Sequence, residues 1–131
     1  MKFRTSPLFG LACTLALVSA SAYAEDKPSY SNKWRIEVSE GAKSAGTMLF
    51  RLTPKDGTPL DVSVAIADGR SENHVAKDIR DAMKTALDAK AFHTEVDDGE
   101  DVLVKKKKGP DFALVLVESN VEAVRIHIEK E

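Results

Sequence analysis

After residue 32 the chain alternates between apolar and polar positions in short runs, and this pattern is interrupted once. Lys33 to Ser39 places Trp34, Ile36 and Val38 on one face and Arg35, Glu37 and Ser39 on the other, the signature of a half-buried strand. Thr47 to Thr53 reads as a second strand. Leu60 to Ala67 reads as a third, with Leu60, Val62, Val64 and Ile66 opposite Asp61, Ser63 and small alanines. The interruption is Ser71 to Ala89, whose apolar residues recur at helical spacing. Val75, Ile79, Ala82, Met83, Ala86 and Leu87 form a stripe, with Lys77, Asp78, Asp81, Lys84 and Asp88 around the other side. Ser71 is a natural N-cap, and Glu72 complements the helix dipole in the first turn. The pairs Lys77–Asp81 and Lys84–Asp88 have i,i+4 spacing.

Period two then returns. Phe92 to Val96, Val102 to Lys106, Phe112 to Glu118 and Val124 to Glu129 read as strands, separated by turns at 97–101, 107–111 and 119–122. The run FALVLV at 112–117 is apolar on both faces, which predicts a central strand. The fold class expected is α+β, in the order β-β-β-α-β-β-β-β. It is a mainly antiparallel sheet of about seven strands packed by one amphipathic helix over about 72–89. Short links favour a meander. One helix covers only part of such a sheet, so the sheet either curls around it or has its other face covered by a partner. The segment from Val75 to Val117 resembles small modules in phage-tail and related assembly proteins. Those show a similar VAxxIxxAL helix followed by valine-rich strands with glycine turns. The match covers under half of the chain, and no function is carried over from it.

The first 32 residues behave differently. Lys2 and Arg4 precede an apolar run from Leu8 to Val18 and a small-residue tail ending in Ala22-x-Ala24. Those are the three regions of a Sec-type signal peptide, so cleavage is expected after Ala24 and the product is periplasmic or extracellular. The apolar run is about half the roughly 20 residues that a membrane-spanning helix needs, and no other segment is long enough. Glu25 to Asn32 is a polar, flexible lead-in, and 33–131 forms a single globular domain. Removal of the leader leaves 17 basic and 21 acidic residues, a net charge of −4 that argues against nucleic-acid binding. It also removes Cys13, the only cysteine, so the mature domain is disulfide-free. Cys13 lies inside the apolar run rather than at its end, against lipid anchoring. A mature domain of 107 residues can bury a sufficient core without staples.

Candidate chemistry is sparse. Gly41 to Thr47 (GAKSAGT) lacks the lysine and the strand-to-helix context of a phosphate loop, and reads as a flexible hairpin loop. Asp97, Asp98, Glu100 and Asp101 surround Gly99. They lack the alternate spacing and distal glutamate of a calcium loop, which leaves a hairpin turn. Lys105, Lys106, Lys107 and Lys108 form the strongest charge block, suited to an anionic ligand or to blunting a strand end. His93 and His127 fall on polar strand faces beside Glu95 and Glu129, and would meet only if those strands were neighbours. No GxSxG or SxxK motif stands on a strand-to-helix turn, and Ser71, the only serine near such a turn, is explained by capping.

The reading that results is a small exported, non-enzymatic binding or inhibitory module acting through a sheet edge or loop tips. Its binding residues would be Lys105, Lys106, Lys107, Lys108, His93, Asp97 and Asp98, with no cofactor or metal. Its partner would be an unknown protein or anionic ligand, and self-association stays open. The alternatives are a small hydrolase or metal-dependent enzyme built from His93, His127, Glu95 and the 97–101 acids, or a subunit of an envelope or appendage assembly.

Overall fold

A computed structural model describes residues 28–131, so the expected signal peptide and most of the lead-in lie outside the described residues. Seven strands and one helix follow in the order that the periodicity predicts. They are β1 (Lys33–Ser39), β2 (Gly46–Pro54), β3 (Leu60–Ile66), α1 (Glu72–Ala86), β4 (Phe92–Asp97), β5 (Asp101–Lys106), β6 (Phe112–Ser119) and β7 (Arg125–Lys130). The fold is α+β and its strand pairs are antiparallel. The strands do not form one sheet, however. A four-stranded sheet runs β4-β5-β1-β7 and a three-stranded sheet runs β3-β2-β6.

Two facing sheets solve the coverage problem that one helix leaves. The alternating residues Trp34, Ile36 and Val38 of β1 and Val102 and Val104 of β5 meet Met48, Phe50 and Leu52 of β2, Val62, Val64 and Ile66 of β3, and Phe112 and Leu114 of β6. Each sheet buries the apolar face of the other. The helix adds Val75, Ala76, Ile79 and Met83 to the same core and packs against β3 of one sheet and β4, β5 and β1 of the other. No helix among the described residues is long and apolar enough to cross a membrane.

Three local expectations are corrected. First, the β1–β2 link is not a hairpin loop, because β1 pairs with β5 and β7 while β2 belongs to the other sheet. The 41–44 segment is tied down on two sides. Ala42 N–H donates to the Arg70 carbonyl at 2.8 Å, Lys43 N–H to that of Glu122 at 3.0 Å, and Glu122 N–H to Ser44 Oγ at 2.9 Å. Gly41 is required there, since a Cβ would lie 2.9 Å from the Arg70 carbonyl oxygen. Second, β6 is an edge strand rather than a central one. Phe112 and Leu114 point inward, while Val115 and Val117 are 50% and 40% exposed on the outer face. Apolarity on both faces therefore reports one buried face and one bare one. Third, the helix stops at Ala86 instead of about 89. Leu87 is already extended, and Asp88 organises a turn in its place. The Asp88 carbonyl accepts from the N–H groups of Ala91 and Phe92, and its carboxylate accepts from Lys90 N–H at 2.9 Å. Asp88 therefore lies beyond the helix, and the helix ion pairs observed are Arg70–Asp78 and Arg80–Asp81. The N-terminus is as expected, with Ser71 Oγ accepting from His74 N–H at 3.3 Å.

The two sheets are joined at Phe112. Its carbonyl accepts from Ser31 N–H at 3.0 Å and from the buried Trp34 indole Nε1–H at 2.8 Å, and its own N–H donates to the Ser31 carbonyl at 2.9 Å. Trp34→Phe removes one donor but leaves the carbonyl bonded to Ser31, so a loss of about 1 kcal/mol is expected. Phe112→Ala opens a cavity and is expected to cost about 3–5 kcal/mol. Urea titrations of both variants check this; equal losses would show that the indole bond, rather than the ring packing, dominates the junction.

Candidate functional site

The outer face of the four-stranded sheet gathers most of the charged residues that the sequence marks. Arg35, in the middle of β1, faces three carboxylates. Its Nη1 donates to Asp101 at 2.6 Å, its Nη2 to Asp97 at 3.1 Å, and its Nε to Glu131 at 2.8 Å. The hydrogen bonds that Arg35 donates to Glu131 and then Asp101 raise its pKa above the ordinary guanidinium value, and the same contact holds the Glu131 carboxyl below its ordinary range. Two of the acids around Gly99 are thereby committed to Arg35. Asp98 and Gly99 form the hairpin tip, both in the left-handed region with φ of 53° and 79°.

The two strand histidines do not meet. β4 and β7 are opposite edges of this sheet with β5 and β1 between them, so His93 and His127 are at least three strand spacings, about 14 Å, apart. Each instead contacts the glutamate two residues on, His93 with Glu95 at 3.3 Å and His127 with Glu129 at 3.1 Å. A shared metal or acid–base pair from these histidines is excluded by that spacing. Cross-strand register does bring Glu37 beside His127, so that donor atoms of Glu37, His127 and Glu129 lie within 4.8 Å of one another. His127 and Glu129 are exposed, Glu37 is half-buried, and exposed carboxylates commonly cluster without an ion.

The lysine block divides. Lys106 Nζ donates to the Gly109 carbonyl at 2.8 Å and pairs with Asp111 at 3.1 Å. Lys107 is drawn to the end of the helix. Its N–H donates to the Ala91 carbonyl at 2.6 Å and its Nζ to that of Ala89 at 3.0 Å. Lys105, Lys107 and Lys108 are all exposed, and none of the three forms an ion pair among the described residues.

Lys107 lines a half-enclosed cleft of about 180 Å³ at the C-terminal end of α1. Lys84 from the last helical turn also lines it, Leu87, Ala89 and Phe92 supply apolar surface, and His93 and Thr94 of β4 complete it. The Phe92 ring is fixed edge-on against Phe112, with centroids 5.2 Å apart. Among the described residues, no carboxylate lines the cleft. A helix C-terminus carries about half a negative elementary charge, and two ammonium groups outweigh it, leaving the cleft cationic. Thr94 is the distinctive member. It is the buried polar residue of the described chain, 6% exposed, and its hydroxyl makes no side-chain hydrogen bond among the described residues. An unsatisfied buried hydroxyl costs about 1–3 kcal/mol, a cost that a bound polar group or water would offset.

Of the residues marked in the sequence, His93 and Lys107 are brought together here. Asp97 and Asp98 lie at the far end of the β4–β5 hairpin. Lys84 reads in the sequence as an ordinary helix charge. Thr94 leaves one trace, a hydroxyl at the inward position between Phe92 and Val96. Comparison with known protein families finds none whose model matches the chain, and comparison with curated proteins finds no match either.

The Arg35 cluster sets an acid limit on stability. Glu131 has a depressed carboxyl in the folded state, as has Asp61 beside Arg51. The unfolded chain therefore binds more protons as pH falls, so this contribution is full above the ordinary carboxylate range and is lost below it. Urea unfolding at pH 7 and pH 3 should show a smaller acid-induced loss in Glu131→Gln than in the wild type. An unchanged difference would mean that Glu131 does not contribute.

Proposed function

We propose that this chain is a small exported binding module, without catalysis of its own, that takes an anionic ligand in the cleft between the end of α1 and β4. Export rests on the three-part leader over residues 1–24. The binding reading rests above all on two ammonium groups, Lys84 and Lys107, around a half-enclosed cleft with apolar walls and no carboxylate. The parts are held before any ligand arrives, because Lys107 is anchored through backbone and side chain and Phe92 is packed against Phe112. Pre-ordering of this kind lowers the entropy cost of binding. The separation of His93 from His127 counts against the enzyme that those residues would have formed.

The proposal differs from a diffuse lysine patch in which lysines matter. In a ¹H–¹⁵N titration with a panel of small anions, shifts should centre on residues 84–94 and 107. Lys84→Gln with Lys107→Gln should weaken binding about tenfold or more, while Lys105→Gln with Lys108→Gln should change it less than twofold. The reverse order would assign binding to Lys105 and Lys108 instead.

An assembly subunit is the second reading, supported by the bare Val115 and Val117 on the outer face of the three-stranded sheet. Light scattering at millimolar concentration decides it. A monomer rejects self-assembly through this face, and a dimer that dissociates on Val115→Lys supports it.

A further inference from the structure

We infer that the ligand of the cleft is a short-chain carboxylic acid carrying a hydroxyl or carbonyl group, an inference that rests on the binding-module reading above. Four features of the cleft select it. Lys84 and Lys107 call for an anionic head. They stand at a helix C-terminus, whose partial negative charge opposes any anion there and is outweighed by the two ammonium groups. Inorganic phosphate is better matched to helix N-termini, where the dipole has the opposite sign. Leu87, Ala89 and Phe92 would gain nothing from a fully hydrated ion, but each can cover hydrocarbon. Thr94, buried without a side-chain partner among the described residues, calls for one further polar group on the enclosed part of the ligand.

Size narrows the class. A volume of about 180 Å³ holds roughly half a dozen non-hydrogen atoms at ~30 Å³ for each water-sized group. A four-carbon hydroxy acid matches the volume that the cleft encloses. In the arrangement proposed, the carboxylate lies between the two ammonium groups, the carbon chain lies along Leu87 and Phe92, and the hydroxyl or carbonyl pairs with Thr94.

The test is a titration of the full mature chain with three probes, butanoate, 3-hydroxybutanoate and inorganic phosphate, followed by ¹H–¹⁵N shifts. 3-Hydroxybutanoate is expected to bind about fivefold more tightly than butanoate, the effect of one added hydrogen bond. Thr94→Val keeps the side-chain shape and is expected to erase that preference, so that the variant binds 3-hydroxybutanoate and butanoate with equal affinity. Because the variant reports a ratio between two ligands, loss of fold cannot imitate the result. If phosphate binds in the cleft and neither carboxylate does, the binding module stands and the carboxylic acid is wrong. A preference that survives Thr94→Val also overturns it. If no anion shifts residues 84–94, both readings fail.

Discussion

The carbonyl of Phe112 is where the two sheets become one domain. It takes a backbone N–H from Ser31 and the indole N–H of Trp34, two donors presented by the chain entering β1, while its own residue begins β6 in the opposite sheet. A carbonyl has two lone pairs, and here both are used. Because the contact is buried, either donor alone would still spare the oxygen an unsatisfied state, but only both together fix the angle at which β1 passes β6. The Phe112 ring then carries this constraint to the far side of the core, where it meets Phe92 edge-on at the start of β4. Phe92 is in turn a wall of the cleft. The junction of the sheets and the shape of the cleft are therefore linked through one ring contact, Phe112 against Phe92.

Which residues face inward was readable from alternation, because side-chain direction in a strand depends only on parity. Trp34, Ile36 and Val38 are buried as their spacing requires, and the same holds for Val62, Val64 and Ile66. Which strands pair was not readable. β1 is linked to β2 by a short loop, yet it hydrogen-bonds to β5 and β7, some sixty to ninety residues away along the chain. Short links favour neighbours only when the alternative costs more. Here the 41–44 segment crosses between sheets at little cost, because the 67–70 turn and the 120–122 turn satisfy its backbone groups. The FALVLV run carries a related lesson. Hydrophobicity alone cannot tell a strand buried on both faces from an edge strand that leaves Val115 and Val117 bare.

The candidate site was legible in part for the same reason. A block of four lysines stands out in composition, but composition cannot say that Lys106 turns to Asp111 while Lys107 turns to the end of the helix. Lys84 joins Lys107 only because β4 packs against α1, a contact between segments with no shared motif. The strand histidines show the opposite outcome. Their matching positions beside glutamates suggest a pair, and the strand order puts two strands between them.

The helix, which the sequence presents as pure scaffold, contributes more than packing at its last turn. Asp88 draws the following N–H groups to its own carbonyl and carboxylate, and the chain leaves helical geometry at Leu87. That early stop has two consequences. It turns the Ala89 carbonyl toward Lys107, and it places Leu87 and Ala89 on the side of the cleft instead of continuing a cylinder through it. The lysines at this point have a structural explanation, since cations near a helix C-terminus are favourable. That explanation accounts for about half a charge and leaves most of two ammonium groups over, with no carboxylate among the described residues that line the cleft. Stabilising the helix end would need one such lysine on an open surface. Two of them around apolar walls and a buried hydroxyl make a place where an anion can be held.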